Sequence, residues 1–134
     1  MIKKNPKWNG NGLRKHWYPN GQIKEEVNYK DFKQDGQKTC WYDNGQIKEK
    51  SYSKDSKLFG KFSLWYPNGT NFFEEHYNNG KLDGKLMHWF ENGEIKEESN
   101  YKNGKLDGKS ILWRRGGQIM KESIYKDGEL ISSN

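Results

Sequence analysis

Trp17, Trp41, Trp65, Trp89 and Trp113 follow one another at a constant spacing of 24 residues. A chain with that period is constrained to fold as an array of five copies of one small unit, each touching only its neighbours. Other residues keep the same register. Gly12, Gly36, Gly60, Gly84 and Gly108 precede the tryptophans by five positions, and Gly21, Gly45, Gly69, Gly93 and Gly117 follow them by four. Asn20, Asn44, Asn68 and Asn92 stand before that second glycine, with Gly116 in the fifth copy. Arrays of this kind present surfaces rather than enclosed active sites.

The period is too short for a pair of helices, and the residues suit strands. There is no alanine, and there are 15 glycines. Asn-Gly and Asp-Gly pairs supply the positive φ that hairpin turns need. Between them lie segments rich in Trp, Tyr, Phe and Ile. Each unit reads as two antiparallel strands, and the chain as an all-β, single-layer antiparallel meander of about ten strands in a twisted open sheet. The five hairpin units are 11–34, 35–58, 59–82, 83–106 and 107–130. Residues 1–10 are an N-terminal edge or cap segment and 131–134 a tail. Trp8 lies outside the register and is expected to cover the first edge strand.

The first turn of each unit is Pro19-Asn20-Gly21, Asp43-Asn44-Gly45, Pro67-Asn68-Gly69, Glu91-Asn92-Gly93 and Arg115-Gly116-Gly117. Pro presets φ and Gly takes a left-handed third position, which suits a three-residue type I turn with a glycine bulge. On that register Trp17 lies opposite Ile23, and Trp89 opposite Ile95. A two-residue turn would instead pair Tyr18 with Ile23 and move every side chain to the other face. The second turn is NNG at 78–80, KNG at 102–104 and KDG at 126–128. The first two copies lack its glycine, so looser turns are expected at 30–33 and 54–57. Copy two also reads one residue short between Trp41 and Tyr52. The glycine before each tryptophan suggests close approach by another group, here expected to be an aromatic ring of the neighbouring strand.

Hydrophobic residues make up only 31% of the chain, and 15% of residues are aromatic. That is too little aliphatic material for a two-layer core but enough for aromatic ladders across one sheet, with each ring pair adding about 0.5–1.5 kcal/mol. The tryptophans read as this structural ladder, with Trp65 and Trp89 mostly buried in the central copies. If the Trp–Ile face is the packed one, the opposite face carries Tyr18, Tyr42, Tyr66 and Phe90 beside the slot of His16, Cys40, Leu64 and His88. That slot varies while the framework stays fixed. Tyr18, Tyr42, Tyr66, Phe90, His16 and His88 therefore form the candidate interaction strip.

The unit W-[YF]-x-N-G-x-I-K-x-E-x-x-Y-K-x-G-K-x-x-G resembles the bacterial variant of the MORN repeat over residues 11–130. The resemblance implies a single-layer sheet of successive hairpins and names no catalytic residue. It also implies an antitoxin component of a toxin–antitoxin system, since many bacterial proteins with this variant are so described. Others of them are exported and associated with the cell surface. The chain departs from the pattern at Asn71-Phe72-Phe73 and at Arg114-Arg115-Gly116.

No residues assemble into a catalytic, metal or cofactor site in this reading. His16 and His88 share one slot with Cys40, but equivalent slots in neighbouring copies lie roughly 10 Å apart, too far for one metal whose ligands all sit within about 2.3 Å. Glu25, Glu26, Glu49, Glu97 and Glu98 lie beside Lys24, Lys48 and Lys96, and across the hairpin from Lys15 and Lys85, as solubilising cross-strand ion pairs. The lone cysteine excludes an internal disulfide. The net charge of +6 raises the question of single-stranded nucleic acid, but the lysines alternate with glutamates instead of forming a stripe. The expected function is therefore a non-enzymatic protein-binding or scaffolding surface without cofactors. A cell-wall glycan or an anionic lipid is the alternative, and nucleic acid ranks last. Open sheet edges also raise end-to-end self-association. Residues 1–10 hold no apolar run, so the chain as it stands is expected to be cytoplasmic, and exported if a leader preceded Met1.

Overall fold

Turn glycines alternating with aromatic segments produce hairpins throughout. The computed structural model describes residues 7–134, so the part of the N-terminal segment over residues 1–6 lies outside the described residues. The first hairpin is β1 (Gly12–Trp17) with β2 (Ile23–Lys30), and the second is β3 (Lys33–Trp41) with β4 (Ile47–Lys54). In the next three units a bulge splits the leading strand. These units are β5 (Lys57–Leu58), β6 (Gly60–Trp65) and β7 (Asn71–Asn78); β8 (Lys81–Leu82), β9 (Gly84–Trp89) and β10 (Ile95–Lys102); and β11 (Lys105–Leu106), β12 (Gly108–Trp113) and β13 (Ile119–Lys126). β14 (Glu129–Ser133) completes one 14-stranded antiparallel meander in which the short β5, β8 and β11 pair back onto β4, β7 and β10, and these pair onward with β6, β9 and β12. All regular elements among the described residues are strands.

The first turns take the three-residue form. Gly21 N donates to Tyr18 O (2.9 Å) and Tyr18 N to Gln22 O (2.8 Å), and the same pair of bonds recurs at each of the other four turns. Trp17 accordingly pairs with Ile23 and Trp89 with Ile95. The asparagine does two jobs. Its carbonyl oxygen accepts from the backbone two residues on, as in Gln46 N to Asn44 Oδ1 (2.9 Å). Its Nδ2 donates to the turn of the next unit, Asn20 to Asp43 O (3.0 Å), Asn44 to Pro67 O (3.1 Å) and Asn68 to Glu91 O (3.4 Å).

The second turns differ from expectation. Those lacking glycine are as tight as the rest: Asp31 and Phe32 adopt φ of 50° and 63°, and Asp55 and Ser56 50° and 66°. This is the two-residue hairpin geometry with both central residues left-handed. It is imposed by stacking. Phe32 N donates to Gly10 O and Ser56 N to Gln34 O (both 2.9 Å), just as Gly80 N donates to Leu58 O (2.8 Å). A carbonyl of the preceding unit holds each turn whatever residue occupies it.

Copy two is not short. β4 has the same length as β2, and Ser53 pairs with Gly36 as Tyr29 pairs with Gly12. Ser53 occupies the tyrosine slot, and Tyr52 stands one position earlier on the other face. The glycine before each tryptophan also has a different cause from the one expected. It takes a positive φ at the bulge (106° at Gly36), and a Cβ there would come within 3.2 Å of the Asn28 Cβ. At Gly36 and Gly108 the close neighbour is an Asn side chain whose Nδ2 caps the bulge, Asn28 donating to Gln37 O (3.1 Å) and Asn100 to Lys109 O (3.0 Å); at Gly84 it is His76, and Gly12 and Gly60 have no such neighbour.

Replacing a left-handed Ser by Gly relieves strain of about 1–2 kcal/mol. We therefore expect Ser56→Gly to raise the melting midpoint, read by circular dichroism. Asn44→Ala removes a bond within its own turn and one to the next, and is expected to destabilise by about 1–2 kcal/mol in urea titration. A neutral Asn44→Ala would refute the inter-unit role of the asparagine.

Candidate functional site

Pairing and strand alternation sort the side chains onto two faces. One carries the row His16, Glu25, Cys40, Glu49, Leu64, Phe73, His88, Glu97, Leu112 and Lys121, each paired with the next. Tyr18, Tyr42, Tyr66 and Phe90 lie on this tyrosine face. The other is the tryptophan face, where Trp17, Trp41, Trp65, Trp89 and Trp113 stand.

Buried residues stand on both faces, Thr39 and Ser63 on the tryptophan face. Val27 (3% exposed) and Leu86 (7%) are the buried aliphatic residues, and both lie on the tyrosine face with Ser51, Ser53, Ser99 and Ser123. A single layer can enclose only a short side chain flanked by longer ones, so serines fill most of these buried places. Trp65 and Trp89, like Trp41 and Trp113, have most of their surface covered, as expected for the inner copies, whereas Trp17 on the edge strand is 59% exposed.

The candidate strip is brought together as a row, but its tyrosines are committed to the fold. Tyr18 Oη donates to Trp41 O (2.6 Å), Tyr42 Oη to Trp65 O (2.6 Å) and Tyr66 Oη to Trp89 O (2.8 Å). Each hydroxyl ties its unit to the next. Phe90 has no hydroxyl, and the Arg115 guanidinium lies 5.3 Å from its ring centre instead. Lys24, Lys48 and Lys96 stand over Tyr18, Tyr42 and Phe90 at 5.5–5.6 Å. In the third unit Phe72 replaces that lysine and joins Tyr66 (4.6 Å) and His88 (5.3 Å), with Phe73 5.0 Å from His88. The sequence departure at Asn71-Phe72-Phe73 is thus an aromatic cluster. His16 is exposed and far along the row from His88.

Several charges on the sheet are paired across strands. Lys15 meets Glu26 (3.6 Å) and Lys85 meets Glu98 (2.9 Å), as the sequence suggested. Lys38 lies between Glu25 (3.7 Å) and Glu49 (3.4 Å). Burial would lower its pKa, but Glu49 and its other neighbours outweigh burial and leave it raised. Burial first, then Lys96, lowers the His88 pKa, which favours the neutral ring at pH 7. Among the described residues no group of three His, Cys, Asp or Glu side chains could hold a metal ion. At the other end of the row Trp8 covers the first strand pair: it packs on Tyr29 (5.0 Å) and Phe32 (5.3 Å), with Arg14 over its ring (4.5 Å).

Burial, and after it the carboxylate of Glu49 with Oε2 3.9 Å from Sγ, pushes the Cys40 thiol up to about 11. The thiolate is the reactive form. Alkylation by iodoacetamide is therefore expected to be slow at pH 8 and to rise as pH approaches 11. Glu49→Gln should move that rise to lower pH. A thiol that reacts at pH 8 as fast as a free cysteine would contradict this placement.

The family model described as the MORN repeat variant matches residues 10–31, 34–55 and 82–103. The curated proteins contain no match to the chain. The third and fifth units, outside these matches, hold the departures Asn71-Phe72-Phe73 and Arg114-Arg115-Gly116, yet they pair in the same register as the others. The chain carries the MORN repeat variant in three of its units and is on that ground a MORN repeat protein.

Proposed function

We propose that this chain is a non-enzymatic scaffold that binds a protein partner through its tryptophan face. What supports the reading is where most of the exposed apolar side chains lie. Leu13, Trp17, Tyr52, Phe59, Ile95, Ile119 and Ile124, seven of the eleven exposed large apolar residues among the described ones, stand on that face. Contiguous exposed apolar surface rimmed by charge marks interaction sites, and aromatic enrichment is typical of interface centres. The tyrosine face offers less, because its hydroxyls are spent on Trp carbonyls. The antitoxin role implied by the resemblance is the same reading with a toxin as partner.

The test is capture of a partner from the native cell by variants of each face. Leu13→Ser with Trp17→Ser, and separately Ile119→Ser, replace exposed side chains, so melting should shift by no more than about 0.5–1 kcal/mol, while capture falls several-fold. His16→Ser on the tyrosine face should leave capture unchanged. Capture indifferent to both tryptophan-face variants, or lost with His16→Ser, would refute the reading.

A further inference from the structure

One position of the tryptophan face carries the same residue in every unit except the second. Glu26, Glu74, Glu98 and Glu122 occupy one equivalent position, and each pairs with a lysine: Lys15 (3.6 Å), Lys61 (3.3 Å), Lys85 (2.9 Å) and Lys109 (2.7 Å). In the second unit that position is Lys50, and the position equivalent to Lys61, Lys85 and Lys109 is Gln37. Among the described residues Lys50 has no carboxylate within ion-pair distance.

Two framework bonds are missing at the same spot. Asn28 and Asn100 cap their bulges by donating to Gln37 O and Lys109 O, and His76 Nδ1 lies 2.9 Å from Lys85 O. Tyr52 stands in that slot in the second unit. Asp35, Asp83 and Asp107 accept the turn N–H groups of Asp55, Asn103 and Asp127. Phe59 stands in the aspartate's slot, so the equivalent Asn79 N–H lacks this acceptor. Two carboxylates and two caps have thus been exchanged for an unpaired ammonium and two exposed rings, Tyr52 (49%) and Phe59 (47%). With Trp65 and Ser63 they line an open concavity of about 750 Å³.

We propose that this concavity is the anchor point of the tryptophan face, taking from an acidic protein partner an aromatic or long aliphatic side chain that has a carboxylate beside it. The inference rests on the docking role of that face. Tyr52, Phe59 and Trp65 would bury the apolar side chain, and Lys50 would meet the carboxylate. Charge complementarity selects this occupant. Lys15, Lys61, Lys85 and Lys109 in the same band of the face are matched by glutamates, so Lys50 is the cation of that band left for an incoming anion. A ring-lined pocket inside a wider apolar surface is the form of an interface hot spot. The lost caps fit a position whose side chains serve binding at the expense of the fold.

The test uses the tetrapeptides acetyl-Gly-Phe-Glu-Gly-amide and acetyl-Gly-Phe-Gln-Gly-amide, titrated to millimolar concentrations against the full chain while the Trp65 indole N–H is followed by NMR. Both should shift that resonance, the Glu peptide binding about two- to fivefold more tightly, the ratio an exposed ion pair gives. Lys50→Glu with Gln37→Lys installs the pair found in other units, so the fold is kept and the preference for Glu should vanish or reverse. Phe59→Asp restores the turn cap and should raise the melting midpoint while weakening both peptides, a combination that a purely structural Phe59 would not produce. Equal binding of the two peptides, a preference that survives the Lys50 variant, or no Trp65 shift with either peptide would each overturn the proposal. Charge-blind binding at Trp65 would leave the docking face standing and remove only its acidic specificity. Failure of the face itself is read separately, from partner capture by the Leu13, Trp17 and Ile119 variants.

Discussion

Hydrogen bonds that run from one unit to the next hold this protein together. A single-layer sheet has no opposing layer to fix its loops, and among the described residues the buried aliphatic side chains are Val27 and Leu86. The loops are completed by their neighbours instead. Tyrosine hydroxyls and asparagine amides on one side of the sheet reach carbonyls of the following unit. On the other side the turn N–H groups reach carbonyls of the preceding unit. Each bond is worth only about 0.5–1.5 kcal/mol, but the turn N–H bond recurs at every unit boundary and the tyrosine and asparagine bonds at the first three, so stability grows with the number of boundaries.

Features governed by local backbone rules were legible in the sequence. The Asn-Gly dipeptides fixed the three-residue turns, and the turns fixed the Trp17–Ile23 register. The Lys–Glu pairs followed from strand pairing. Features governed by stacking were not. Nothing in the segment Lys54-Asp55-Ser56-Lys57 announces a tight turn with a left-handed Ser, because the bond that enforces it comes from Gln34 in the unit before. Tyr52 was mistaken for the framework tyrosine because Ser53, the residue truly in that slot, carries no aromatic signal. Indole size suggested coverage, and the inner tryptophans are largely covered, whereas Trp17 on the edge strand is exposed because a strand flanks it on one side only.

The candidate strip illustrates how far residue type can be read. Its positions share one face, as periodicity required, and Phe72 and Phe73 add to it an aromatic cluster with His88. What the sequence could not reveal was that the hydroxyls of Tyr18, Tyr42 and Tyr66 are occupied. Lys50 stands where four units have glutamate, a departure that the repeat pattern alone did not single out. It gained meaning only when pairing placed Gln37, Tyr52 and Phe59 around it.

The two rows of inter-unit bonds point in opposite directions along the chain, and this has a consequence for synthesis on the ribosome. The turn at Asp55–Ser56 needs Gln34, which has already emerged, so it can close at once. The turn at Asp43–Gly45 is finished by Tyr42 and Asn44 only when Trp65 and Pro67 arrive. One edge of the growing sheet is therefore always complete and the other always one unit behind. A nascent chain would lengthen with a ragged margin on a single side, and that margin is where a chaperone or an early partner would meet it.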